Sequence, residues 1–204
     1  MAKIQSVDYQ AMPGQANEMR GHGKLLNSEM TKAYASIAQM HEVWYGIRYN
    51  ELVNSFNGMI PSINDMLTLV VKDVPSTLET VANNYSMADT GANVVAVNSE
   101  GPNKITDLTI SNDVGMKFLT NEVSQIQSSV SNNFNVAKSE MERIEQSYSK
   151  IVWQSEAADA FRNRFIELKN NIVTSFENIE SQFKKLMDQT QQDIQKAENA
   201  NTVS

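Results

Sequence analysis

Residues 116–151, MKFLTNEVSQIQSSVSNNFNVAKSEMERIEQSYSKI, decide the fold. Met116, Leu119, Val123, Ile126, Val130, Phe134, Ala137, Met141, Ile144, Tyr148 and Ile151 recur at alternating steps of three and four, the period that lines one face of a long helix. A second stripe follows Trp153: Phe161, Phe165, Leu168, Ile172, Phe176, Ile179, Phe183, Met187 and Ile194. Between the stripes, Trp153-Gln154-Ser155 reads as a tight turn, with Ser155 as N-cap of the next helix. Residues 113–204 are therefore expected to form a helical hairpin.

Working outward, the first half repeats the plan. Leu26, Met30, Tyr34, Ile37 and Met40 lead into Trp44-Tyr45-Gly46, and Leu52, Phe56, Met59, Ile63, Leu67, Val70, Val74, Leu78 and Val81 follow. With the two tryptophans superposed, Leu52 falls on Phe161, Phe56 on Phe165, Met59 on Leu168, Ile63 on Ile172, Leu67 on Phe176 and Val70 on Ile179. Pro61 and Pro75 lie inside the expected second helix. Each removes an N–H, but the stripe stays in phase through both, which predicts a bend and not a break. The first helix is expected to start near Pro13, with Gly21 and Gly23 weakening its early turns.

Residues 90–112 lose the helical period and carry Gly, Pro and β-branched residues, so they read as a linker joining a hairpin at 1–89 to one at 113–204. Extended, this segment reaches about 75 Å, against about 45 Å for a helix of some 30 residues. That length suits hairpins packed with their Trp turns at opposite ends, because such a pairing needs a long crossover. A small β-hairpin, Val94–Val97 against Lys104–Ile110, competes for the same residues, although two strands alone are marginal. The expected fold is all-α, two tandem helical hairpins packed as an antiparallel four-helix bundle.

The composition argues against several kinds of chemistry. Net charge is −7, with 6 basic and 9 acidic residues in 1–89 and 10 and 13 in 113–204, so neither half offers a basic face for nucleic acid. With no cysteine there is no thiolate chemistry, disulfide or Cys-based zinc site. The two histidines, His22 and His41, have neither the spacing of a helical metal pair nor the company of a catalytic triad. Gly21-His22-Gly23-Lys24-Leu25 fails the phosphate-loop pattern, since Glu18 stands where a glycine is required and Leu25 where Ser or Thr is. No catalytic residue, metal, cofactor or small-molecule substrate is expected, and the chain is read as non-enzymatic. The N-terminus lacks the apolar core of a secretory signal peptide, and no stretch approaches the roughly 18 apolar residues of a membrane span.

Two short motifs remain. Trp44-Tyr45-Gly46 occupies the first reversal, where Gly permits a tight turn and Trp closes the end of a core. Tyr85-Ser86-Met87-Ala88-Asp89 closes the second helix, its i,i+4 spacing placing phenol and carboxylate on one face. A helix, Trp-X-Gly, a second helix and then Tyr-x-x-x-Asp resembles the Trp-X-Gly family of small helical-hairpin proteins exported by bacterial type VII secretion systems. The resemblance covers about residues 5–89 in motif and 113–198 in architecture. The second unit departs from the pattern with Ser155 in place of Gly and no second Tyr-x-x-x-Asp, and the signal is internal where the family carries it in a C-terminal tail.

The family pairs hairpins antiparallel into four-helix bundles, so the resemblance implies a fused pair, a monomer that is its own pseudo-dimer. It also implies that Tyr85 and Asp89 form a secretion signal read by the export machinery through its ATPase component, jointly with the turn formed by Trp44 and Gly46. If the turns lie apart, Trp153 and not Trp44 should be the one nearest Tyr85. The expected function is that of a secreted substrate or co-secreted partner acting by protein–protein contact, cytoplasmic before export and exported without a signal peptide. The alternative is a cytoplasmic chaperone-like adaptor for the helical targeting domain of a larger secreted toxin, favoured if an apolar stripe stays uncovered after the bundle closes.

Overall fold

The computed structural model describes residues 7–201, so the extremities of the two expected units, 1–6 and 202–204, lie outside the described residues. The chain forms α1 (Met12–Met40), a short strand β1 (Trp44–Tyr45), α2 (Ile47–Thr68), a π-helical turn (Leu69–Asp73), α3 (Val74–Thr90), β2 (Lys117–Phe118), α4 (Thr120–Ser149) and α5 (Glu156–Asn201). With α2, the π turn and α3 running on as one rod, four long rods make an all-α bundle.

Contacts between the hairpins fix the directions. Gln15 and Glu18, early in α1, reach Lys150 just past the end of α4, at 3.0 and 3.2 Å. At the other end of α1, Trp44 and Tyr45 pair antiparallel with Phe118 and Lys117, just before α4 begins. Ser55 of α2 meets Gln182 of α5 at 2.5 Å, while Asp65 further along α2 meets Arg164 near the start of α5 at 3.0 Å. The hairpins are thus antiparallel, with Trp44 and Trp153 at opposite ends of the bundle.

The internal repeat is visible in the backbone. A shift of 109 residues, which superposes the tryptophans, carries the last residue of α1, Met40, onto Ser149 and the first of α2, Ile47, onto Glu156, the corresponding ends of α4 and α5. Each Trp turn also pairs with the segment preceding the other hairpin's first helix: Trp44 with Phe118, and Trp153 with Val7. Of the residues aligned by the repeat, all are buried except Phe161, which is half-buried against the core.

At mid-bundle each rod contributes one aromatic ring. Tyr34 of α1 meets Phe56 of α2 edge-on with centroids 5.4 Å apart, Phe56 stacks on Phe134 of α4 at 5.8 Å, and Phe134 stacks on Phe176 of α5 at 4.1 Å. The Tyr34 hydroxyl donates to the carbonyl of Phe56, and burial pushes its pKa far above the usual tyrosine value.

Pro61 is accommodated inside α2, whereas Pro75 is met by the π turn, whose closing bond runs from Val74 N–H to Leu69 C=O. A regular helix would pair Val71 C=O with the N–H of residue 75, which proline lacks. The widened turn lets the chain pass the ring without breaking, and the free Val71 carbonyl accepts from Arg20 Nε at 3.2 Å. The bulge presses Val70 and Val71 against α1 where Gly23 stands: a Cβ there would lie 2.7 Å from Val71 Cγ2 and 2.9 Å from Val70 Cγ2. Gly21 faces open space. Gly23→Ala should therefore destabilise by about 1–3 kcal/mol through overpacking, and Gly21→Ala should stabilise by about 0.5–1 kcal/mol through helix propensity. Urea unfolding of the two variants measures this opposition in sign.

The connection from α3 to α4 spans residues 91–119, longer than the expected 90–112 at its C-terminal side. Met116 and Leu119, expected on the α4 stripe, are exposed and lie outside the helix, which starts at Thr120. A turn and two contacts hold them off it: Gly115 turns the chain at φ +120, Phe118 is paired to Trp44, and Leu119 N–H bonds Val43 C=O at 2.9 Å. Ile151 likewise falls past the end of α4. The competing hairpin of Val94–Val97 against Lys104–Ile110 does not form. Residues 94–113 instead run as an extended strap along the first hairpin, from the end of α3 back to the Trp44 turn, so this segment spans the bundle as its length allowed.

The strap is held by side-chain amides that take both backbone groups of one residue. Asn50 holds Ser111, Asn57 holds Leu108 and Asn64 holds Ile105, each amide nitrogen donating to the carbonyl and each amide oxygen accepting the N–H, at 2.8–3.1 Å. Asn83 does the same for Val95 at 2.8 and 3.1 Å. At Asn98 a buried ion pair replaces the amide: Arg20 donates to the carbonyl at 2.6 Å and Glu79 accepts the N–H at 2.8 Å.

Candidate interaction site at the Tyr85 end

α3 carries Tyr85 and Asp89 on its last turns and stops at Gly91, whose left-handed φ of +75 lets its N–H cap Met87 C=O. Tyr85 is half-buried, whereas Met87 and Asp89 are exposed. The segment preceding α1 lies against this end. Tyr9 donates its hydroxyl to Asp89 Oδ2 at 2.5 Å, and that hydrogen bond, with lesser help from burial and the Asp89 charge, raises the Tyr9 pKa. Two residues earlier, Val7 bridges Trp153, and Asp8 N–H reaches Val152 C=O.

Asp89 is thus connected through Val7–Tyr9 to the Trp153 turn, while the Trp44 turn lies at the far end. Around the Trp153 turn, Lys150 pairs with Glu18, whose carboxyl it holds below the usual glutamate range chiefly by hydrogen bonding. Beside it a cavity of about 370 Å³ is lined by Tyr148, Ile151, Trp153, Gln154, Asp159 and Arg162, among others. Tyr148 donates to Ala158 C=O at 3.0 Å, and burial pushes its hydroxyl up to about 12.

The two Trp turns differ as their third residues require. Gly46 adopts φ +121, which L side chains rarely adopt, and packs close to the Gly115 carbonyl. Ser155 needs no such conformation, since positive φ is confined to glycines among the described residues; its Oγ accepts Ala158 N–H at 3.1 Å and caps α5. Trp44 is fully buried among the rings of Tyr49, Phe118 and Phe183 and is a core residue, whereas Trp153 is half-buried and accessible.

Both histidines stand at seams. His22 Nδ1 lies 2.7 Å from Glu140 of α4, and His41 Nε2 lies 2.5 Å from Asp113 of the strap. Asn50, Asn57, Asn64, Asn83 and the Arg20–Glu79 pair are the interaction residues that sequence reasoning missed; the legible trace was three asparagines at seven-residue intervals on one helix. Among the described residues no helix is long and apolar enough to cross a membrane. Compared with protein-family models, with curated proteins and with solved structures, the chain matches none.

Proposed function

We propose that this protein is a non-enzymatic substrate or co-secreted partner of a bacterial type VII secretion system, acting by protein–protein contact, with Tyr85 and Asp89 as its export signal. The observation that carries this reading is the shared end of the bundle: Asp89 of one hairpin is linked through Tyr9 and Val7 to the Trp153 turn of the other. A receptor in the export machinery would meet an exposed carboxylate, a half-buried phenol and an accessible tryptophan on one surface. The adaptor reading called for an apolar stripe left uncovered, and the expected stripe residues within all four rods are buried or packed on the core for most of their length, which favours the substrate reading.

Export of the full chain from a type VII-competent bacterium tests the proposal. Tyr85→Ala, Asp89→Ala and Trp153→Ala are each expected to reduce export at least about tenfold, a loss of some 1.4 kcal/mol in recognition, with helical circular dichroism unchanged. Unchanged export of the Tyr85 and Asp89 variants would reject the signal. Trp44 is unsuited to the comparison because its removal would cost stability directly.

A further inference from the structure

Asn50, Asn57 and Asn64 lie about 10.5 Å apart along α2. Three residues of extended chain advance about 9–10 Å, so Ser111, Leu108 and Ile105 meet the three amides in register. Pro102, Ile105, Leu108 and Ser111 face inward to varying degrees, and the two residues between each pair are exposed. That is a three-residue period, as in polyproline II, and not the alternation of a β-strand. Each amide bonds only to main chain, so the amides need an available N–H and carbonyl at every third residue, and side chains enter through the inward-facing Ile105 and Leu108.

The groove is built by the first hairpin alone, and two features show that it is larger than its occupant. Every amide, and the Arg20–Glu79 pair, belongs to the first hairpin, so the groove is complete without the second. Clefts of about 560 and 590 Å³ remain beside the strap, one lined by Ala38, His41 and Tyr49, the other by Lys24, Asn27 and Thr31, with strap residues on their other walls. Asn27 uses half of its amide: Nδ2 donates to Asn103 C=O at 3.0 Å, while its buried Oδ1 accepts no hydrogen bond from the described residues.

We propose that this face of the first hairpin is a binding groove for an extended polypeptide, read through its backbone at every third residue, and that residues 94–111 are its occupant in cis. The ligand in trans is a peptide that keeps N–H groups opposite Asn64, Asn57 and Asn50 and places medium-sized apolar side chains at the positions of Ile105 and Leu108. The inference does not rest on the export reading.

The test uses the full chain carrying Ile105→Pro, Leu108→Pro and Ser111→Pro. Proline keeps the extended conformation but removes the three N–H groups that the amides accept, which releases the strap without shortening it. The probe is a fluorescein-labelled peptide with the sequence of residues 94–112, followed by anisotropy. Saturable binding is expected, weakened about tenfold or more when Asn57→Ala and Asn64→Ala are added. Exchanging the peptide's exposed residues among themselves should change affinity by less than about threefold, because they make none of the paired contacts. No saturable binding by a chain that keeps its helices, indifference to the asparagine substitutions, or a demand for the exposed residues would each overturn the proposal. So would a dimer by light scattering without peptide capture, since the groove would then serve only a second copy's strap. If the triple-proline chain loses its helices, Ile105→Gly with Leu108→Gly, which removes the apolar anchors instead, is read out in the same way.

Discussion

Phe134→Ala is expected to lower stability by about 4 kcal/mol and the thermal midpoint by roughly 8–16 °C for a chain of this size. Phe134 is fully buried, with its ring stacked on Phe176 at 4.1 Å and on Phe56 at 5.8 Å. Each neighbour comes from a different rod and is itself packed, so the hole cannot close by moving one side chain. Phe134→Leu should restore more than half of the loss, because it refills most of the volume. Val136, two residues away on the exposed side of α4, provides the control, and Val136→Ala should stay within about 0.5 kcal/mol. Calorimetry of the three variants checks this, and a loss near 1 kcal/mol for Phe134→Ala would mean that the rings do not form the centre of the core.

Glu79→Gln is expected to cost about 3 kcal/mol or more at neutral pH, since it leaves the Arg20 guanidinium buried without a counter-charge. Glu79 and Arg20 are both buried; they form a two-pronged pair, and together they hold the main chain of Asn98. Burial alone would raise the Glu79 pKa, but the Arg20 hydrogen bond, the Asn98 N–H and the Arg20 charge outweigh it and hold the carboxyl below its ordinary value of about 4.5. The unfolded chain therefore binds this proton more readily than the folded one. The stabilisation is complete above the ordinary value and is lost as pH falls through the lower, folded one. Urea unfolding of wild type and Glu79→Gln at pH 7, 5, 4 and 3 should show a difference that is constant at the higher values and shrinks below about pH 4.5. A difference independent of pH would show that Glu79 contributes shape and not charge. Replacing both partners, with Arg20→Met and Glu79→Leu, should recover much of the stability while loosening the strap at Asn98, which hydrogen exchange at that amide would report.

Much of the candidate site was legible from residue spacing. The Trp44 and Trp153 turns, the end of the helix at Tyr85–Asp89 and the length of the linker together implied turns at opposite ends, and the hydrogen bonds of Lys150 and the pairing of Trp44 with Phe118 show that arrangement. Tyr9 was not legible, because a lone tyrosine ahead of a helix has no pattern and its partner Asp89 lies eighty residues on. The first turn of the α4 stripe was misread because Met116 and Leu119 fall in phase with the helix by spacing alone, while the Trp44 strand holds Phe118 in extended conformation.

Four apolar stripes with a helical period, broken at two tryptophans, determined by themselves that the chain is an all-α bundle of two repeated hairpins, because burying one face of each long helix leaves few other arrangements. Only the tertiary structure decided the π turn at Leu69–Asp73, the ion pair of Arg20 with Glu79 and the course of the strap. Proline shows in sequence that a hydrogen bond is lost, but not which distant donor will take the freed carbonyl. An asparagine that binds main chain leaves no mark on the residue it holds, since every residue other than proline offers the same N–H and C=O.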